Sequence, residues 1–375
     1  MNDSLISRRQ LLQFAGATCA GAALPAVHAE EAARHFEPKP DGWRSFEVTT
    51  TVQLRAGSEP AMVWMPIAAL DTPWQRTIGS SWTGNASSMR VVADGDTGAR
   101  ILVARFESNV AEPTVVLVDK VQTQSRAVDW KSRADAAADP AELRRWTAPS
   151  ELITTDGIVR KVAMQIVEGA RNDVEKVQRI YDWTIISTYR EPKVRGCGVG
   201  DIRTMLETGN LAGKCADINA LFVGLCRAAG VPARDIYGIR LVPSAFGYRE
   251  LGANPANLTG AQHCRSEVWL KHRGWVAMDP ADVTKVMRQE TSTWIKDPGD
   301  PLVAPVRKAL FGSWEGNWMG YNSAADLSLP GSGRKGKLGF LMYPQAEVAG
   351  RAVDPYDPQA FTYRIAAREL KANEA

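Results

Sequence analysis

The sequence predicts an α+β protein in two parts, an antiparallel β-sandwich followed by a core of helices and antiparallel strands. Three observations predict it. Apolar residues alternate with period two from Phe46 to about Gln124, then recur with helical spacing from Gly157. A charged, alanine-rich stretch from Asp129 to Pro149 separates the two regimes. Strand-like alternation then returns in HCRSEVWL and GWVAMDP, residues 263–280. At 375 residues the chain is long enough for two cores.

The first 29 residues belong to neither part. Ser7-Arg8-Arg9-Gln10-Leu11-Leu12 precedes an uncharged Ala/Gly-rich run and then Val27-His28-Ala29, with small residues where a signal peptidase would cut. The paired arginines resemble a twin-arginine export signal, so a periplasmic or secreted protein is expected. Residues 34–128 read as the sandwich: FEVTTTVQL, AMVWMPI, MRVVAD, ARILVARFES and TVVLVDKVQTQ are short and β-branched, with Gly57 and Asp94-Gly95 at reversals. Residues 129–156 read as a linker, helical or frayed. From 157 to 290 the helical core begins with Ile158, Val162, Ile166 and Val167 on one face, and a second helix carries Val177, Ile180, Tyr181 and Trp183. Trp183 lies in this stripe and reads as core. Glu191 to Asn210, rich in glycine, reads as a surface excursion that walls a cleft. Residues 291–375 read as an aromatic-rich extension packing on the core, in which Trp314, Trp318 and Tyr321 close the core in preference to lining a groove.

Composition excludes several functions. Removing the leader takes away Arg8, Arg9 and Asp3, so the formal charge falls from +3 to +2, which gives no basis for nucleic acid or a membrane surface as partner. No later apolar run is long enough to span a bilayer. The four cysteines that remain, Cys197, Cys215, Cys226 and Cys264, are too few for a disulfide scaffold and contain no Cys-x-x-Cys pair, so no zinc site is expected.

Cys215 stands out among them. Gly209-x-x-x-Gly213-Lys214-Cys215 fails as a phosphate loop, because the first glycine is one residue too close and Cys215 replaces the magnesium-binding hydroxyl. The thiol is therefore either structural or an activated nucleophile. Ile218, Leu221, Phe222 and Leu225 place a helix after it, stopped by Gly230 and Pro232. Free backbone N–H groups and the helix dipole lower a thiol pKa at such a start and can hold an oxyanion. Asp217 reads as a plain helix-start carboxylate. Cys226 lies inside the same helix, about 16 Å away, so it reads as packing and is out of disulfide reach.

A nucleophilic thiol needs a base and an orienter for that base. Outside the leader there are three histidines, His35, His263 and His272. His35 lies in a charged segment and His272 in a hairpin turn that should face solvent. His263 opens one predicted strand, and Asp279 closes the next, so antiparallel pairing makes them cross-strand neighbours.

A cysteine at a helix start, the helix end Arg-Ala-Ala-Gly-Val-Pro-Ala-Arg (residues 227–234), His-x-x-x-Glu-Val-x-Leu and Gly-Trp-Val-x-x-Asp-Pro together resemble the transglutaminase-like superfamily of papain-type cysteine enzymes. The resemblance covers about Val159 to Val286. It implies a papain-like transglutaminase core after the β-rich domain, with Cys215 as nucleophile, His263 as base and Asp279 as orienting carboxylate. The sequence departs from the family at Arg265, where many members have an aromatic residue, and at Cys264. That thiol is expected on the opposite face of the strand from His263, in a structural role. For the oxyanion hole Asn210 is a weak side-chain candidate. The expected activity is that of an exported cysteine hydrolase acting on peptide or other amide bonds, with no cofactor and no metal. Amine transfer by a protein-glutamine transglutaminase and a non-catalytic envelope binding module are the alternatives.

Overall fold

The computed structural model describes residues 34–371 apart from 96, 134 and 135, together with residue 374, so the expected export signal lies outside the described residues. Six strands come first: β1 (Arg44–Leu54), β2 (Ala61–Ile67), β3 (Gln75–Gly84), β4 (Ser88–Ala93), β5 (Arg100–Phe106) and β6 (Thr114–Thr123). In β6 buried and half-buried residues alternate along the whole strand, as expected for one face turned inward. A two-residue strand, β7 (Arg126–Ala127), leads out toward α1 (Pro140–Arg145), which Asp139 caps by accepting from the Ala141 N–H.

The helical core contains α2 (Gly157–Ile166), α3 (Asp173–Ser187), the short strand β8 (Tyr189–Arg190), α4 (Ile202–Thr208), the short strand β9 (Ala212–Gly213) and α5 (Cys215–Ala228). Every residue of α5 is buried, so this helix is the centre of the core. A sheet follows, made of β10 (Ala233–Arg240), β11 (Gln262–Leu270) and β12 (Gly274–Met278), and the chain continues into α6 (Pro280–Gln289) and α7 (Ala304–Ala309). After β13 (Ser313–Trp314), which pairs with β7, strand β14 (Trp318–Asn322) completes the order β12-β11-β10-β14. Three last strands are β15 (Gln345–Val348), β16 (Arg351–Val353) and β17 (Phe361–Leu370).

These last strands correct the sequence reading of residues 34–128 as a self-contained sandwich and of residues 291–375 as a cover on the core. One β-layer has the order β17-β1-β6-β3 and the other β16-β15-β2-β5-β4. Their inner faces share one apolar cluster that includes Val52, Met65, Leu102, Phe106, Leu117 and Phe361. β17 pairs with β1 from Ser45↔Leu370 to Leu54↔Phe361. The cause is the free edge of β1, whose N–H and C=O groups need partners along their length. FTYRIAAREL ends in helix-favouring residues, so its local preference concealed the strand that this pairing imposes.

The linker is anchored. Trp146 is buried, with the guanidinium groups of Arg227 and Arg234 over its ring at 5.7 and 5.6 Å. Trp314 and Trp318 lie on short strands, not on a helix, and are buried with Trp74 in the main core, while Tyr321 is buried in a neighbouring cluster. Trp183 is half-buried against that core.

Candidate active site

Cys215 occupies the first turn of α5, with Lys214 in extended conformation just before it. The carboxylate of Asp217 fastens this turn to the glycine-rich excursion. Its Oδ2 accepts from the Lys214 N–H at 2.9 Å, and its Oδ1 accepts from Val199 and Gly200 at 2.8 and 2.9 Å. Gly198 permits that approach, because a Cβ there would lie 1.8 Å from the Asp217 carboxylate. Asp217 is thus more than a helix-start carboxylate: it brings Cys197 to the thiol. The Ala216 N–H donates to the Cys197 carbonyl at 3.0 Å, and the N–H of Cys215 has no acceptor among the described residues.

His263 is buried at the start of β11, and its Nε2 lies 2.7 Å from Asp279 Oδ2. Both carboxylates face Nε2, so Nδ1 is the nitrogen left for the thiol, and the ring helps to lower the Cys215 pKa. Strand register explains the histidine–aspartate contact only in part. β11 and β12 pair Ser266 with Met278, and continuing that register sets Arg265, not His263, opposite Asp279. His263 meets the carboxylate diagonally, where the chain turns into α6 and Asp279 caps that helix by accepting from the Asp282 N–H. Asn219, one turn along α5 from Cys215, donates to Asp279 Oδ1 at 3.3 Å and to the Cys264 carbonyl at 2.9 Å. It also accepts from the Ala281 N–H at 3.2 Å, so one amide ties together the three elements that carry the site.

Residues beyond the expected three complete the electrostatics. Asp282 lies 3.4 Å from His263 Nε2 and pairs with the buried Arg240 at 2.5 Å. Arg265 Nε is 3.7 Å from Asp279. Three cations (His263, Arg240, Arg265) therefore face three acids (Cys215, Asp279, Asp282). Burial and Arg240 push the His263 pKa down, but Asp282 and Asp279 outweigh them and carry it to about 9. The neighbouring Cys197 and Cys264 thiols, then His263, hold Cys215 well below the ordinary thiol range despite its burial. Arg240 and His263 keep Asp282 ionised, and burial with the neighbouring Asp282 raises Asp279. The arrangement stabilises a thiolate beside an imidazolium.

Cys264 lies nearer the thiol than a purely structural role requires. It belongs to the cluster of Cys197 and Cys215, with Asn219 Nδ2 of α5 4.0 Å from its sulfur, while His263 and Arg265 both turn toward Asp279. Cys197 was missed as a site residue; its sulfur accepts from Tyr343 Oη at 2.9 Å, and the glycines on either side of it were its one local sign. Cys226 packs in the main core as expected, and burial raises its thiol well above the ordinary range. His272 is exposed. Asn210 is exposed as well, and its Oδ1 accepts from the Ala212 N–H in a local turn, so it is not brought to Cys215. Ligand atoms of His263, Asp279 and Asp282 lie within 4.8 Å of one another and have the chemistry to hold a divalent ion. The guanidinium charges of Arg240 and Arg265 against the two carboxylates suit an imidazolium instead.

A cleft of about 260 Å³ opens beside Cys215 and His263, lined by Arg190, Lys285 and the polar loop that precedes β11. It adjoins a second space of about 430 Å³ lined by Tyr343, Tyr356, Phe361 and Tyr363, and the two share Arg190, Thr259, Gly260 and Gln262.

A thiol at a helix start, an imidazole at the start of a strand and a buried carboxylate come together on a core of helices and antiparallel sheet. A profile described as the transglutaminase-like superfamily matches residues 160–280. An uncharacterized protein of Haemophilus influenzae is 32% identical over 342 residues, spanning 87% of this chain and 91% of its own length. The chain belongs to the transglutaminase-like superfamily. Among solved structures, a provisionally assigned cysteine protease of Cytophaga hutchinsonii is similar at 18% identity and TM-score 0.49, covering 87% of this chain and 98% of its own. The periplasmic domain of TgpA from Pseudomonas aeruginosa is similar at 17% identity and TM-score 0.36, covering 70% of this chain and 77% of its own. No helix among the described residues is long and apolar enough to cross a membrane.

Proposed function

We propose that the protein is an exported cysteine hydrolase of peptide or other amide bonds. The Cys215 thiolate attacks the amide carbonyl, forming a C–S bond. The oxyanion is held by the free Cys215 N–H and the positive end of α5. The His263 imidazolium gives its Nδ1 proton to the leaving nitrogen as the C–N bond breaks, leaving a thioester. Water then attacks, His263 takes its proton, the C–S bond breaks, and the thiolate and imidazolium are restored. Asp279 fixes the ring through Nε2 and stabilises its charge. The observation that carries this reading is the 2.7 Å contact of Asp279 with His263 Nε2, in a cleft whose wall His263 shares with Cys215.

Hydrolysis is favoured over amine transfer because a transferase must exclude water from the thioester. The loop over this cleft, residues 252–262, is polar and supplies Asn254, Asn257 and Thr259 to its wall. Export rests on the paired Arg8 and Arg9 before an uncharged run. The deciding experiment offers a glutamine-containing peptide and a peptidoglycan stem peptide together with an amine donor and weighs the products by mass spectrometry. Hydrolysed amide is expected. Amine incorporation exceeding hydrolysis would replace the reading with a transglutaminase, and no product from any amide would leave a binding module.

A further inference from the structure

The cleft beside Cys215 carries positive charge that no carboxylate among the described residues answers. Arg190, at the junction of the two spaces, bonds Gln289 Oε1 through its Nε at 3.1 Å and has no carboxylate partner among the described residues. Lys214, in the wall of the aromatic space one residue before the thiol, likewise has none, because the nearby Asp217 carboxylate is taken up by three backbone N–H groups. Lys285 differs, being paired with Glu250 at 3.2 Å. A second, independent observation lies in the wall that the two spaces share. Gln262 is 5% exposed and lines both spaces, and its Nε2 makes no hydrogen bond although it is buried. A buried N–H donor without an acceptor costs about 1–3 kcal/mol, so a site that keeps one beside two unanswered cations is arranged for an anion that arrives from outside.

We propose that this junction binds a carboxylate on the acyl part of the substrate, held by Arg190 and Lys214 with the Gln262 amide, while the adjoining tyrosine-lined space takes an apolar group. The substrate class is then an acidic peptide whose carboxylate lies close to the bond cut, either an acidic side chain or the free α-carboxylate of a γ-linked glutamyl residue. A carboxylate fits the planar fork of Arg190, and the carboxamide donor adds a third direction of approach. The inference rests on the reading of Cys215 as a thiolate nucleophile, but not on which amide is turned over.

The test compares alkylation of Cys215 by iodoacetate and by iodoacetamide, followed by peptide mapping. Both reagents form the same S–C bond and expel iodide, so their rate ratio cancels any change in the thiol's own ionisation and reports attraction for a carboxylate. Iodoacetate is expected to be relatively faster on the folded protein than on the unfolded chain. The ratio should fall about tenfold in Arg190→Gln and about threefold in Lys214→Gln. Raising the salt concentration on the unaltered protein should slow iodoacetate alone, which keeps the test decisive if a variant fails to fold. A ratio equal to that of the unfolded chain, or one unmoved by Arg190→Gln or by salt, overturns the proposal. With substrates, α-glutamyl and γ-glutamyl peptides distinguish the two carboxylate sources, and each should exceed its glutamine counterpart in kcat/KM; equal values for both pairs also overturn it. If no amide is cut yet the alkylation ratio behaves as expected, the hydrolase reading fails and the carboxylate site stands.

Discussion

The first turn of α5 and its last carry the same side chain in opposite chemical states. Cys215 and Cys226 are both buried on one helix, at 2% and 0% exposure. Burial raises the Cys226 thiol well above its ordinary range, whereas Cys215 is held well below it. Desolvation acts against the thiolate at both places, so burial cannot be what distinguishes them. The difference lies in donors: Cys215 has two neighbouring thiols and a charged imidazole, while Cys226 is surrounded by apolar side chains of the core. A reactive cysteine is created by what points at the sulfur, and the helix start is where such groups find room.

The largest expected effect breaks this comparison outright. Cys215→Ala should reduce turnover to background while the thermal melt stays cooperative, whereas Cys226→Ala should keep turnover and cost about 1 kcal/mol of stability for one lost buried heavy atom. Equal activity losses in the two variants would remove the distinction. Next in size, Asp279→Asn should lower kcat by about three orders of magnitude without unfolding the chain, since the ring loses its orienter. His263→Ala should cost at least as much and His272→Ala almost nothing, measured on the same amide.

A pH series sharpens the comparison further. The His263 pKa is raised to about 9 and that of Cys215 is depressed, so the ion pair exists from the low thiol pKa up to pH about 9. Turnover should fall on the alkaline side as pH passes 9. Because the folded histidine pKa lies above its unfolded value near 6.5, its stabilisation is fully present below pH about 6.5 and is lost as pH rises through 9. Iodoacetamide should label Cys215 in mildly acidic solution, where unfolded thiols are inert. The smallest effect comes from the neighbouring sulfurs. Cys264→Ala and Cys197→Ala each remove one thiol from the cluster around Cys215, so each should move the acid limb of its labelling curve upward and slow labelling a few-fold at pH 6. An unmoved curve would assign the depression to His263 and the helix alone.

Much of this site was legible because its parts have local signatures. The apolar spacing of Ile218, Leu221, Phe222 and Leu225 marks a helix, and the helix places Cys215 at its start. Two alternating segments separated by a turn mark the strand pair that carries His263 and ends at Asp279. The roles of Arg240 and Asp282 had no such mark. Arg240 is the last residue of an ordinary strand and Asp282 lies in the first turn of a helix; only packing sets them 2.5 Å apart against the imidazole. Asn210 failed as a candidate for the complementary reason, since nearness in sequence to Cys215 did not bring its side chain inward.

The sequence by itself determined the periodicities, the helix that begins at Cys215 and the residue types of the thiol, base and carboxylate, because helix boundaries and dipoles depend on neighbouring residues. Tertiary structure alone decided the rest. β17 joined β1 across more than three hundred residues, Cys197 arrived on a loop held by Asp217, and Cys264 came into one cluster with Cys197 and Cys215. Each of these is a contact between segments far apart in the chain. Such contacts are selected by the burial of shared apolar faces and the pairing of free backbone edges, quantities that no short stretch of sequence contains.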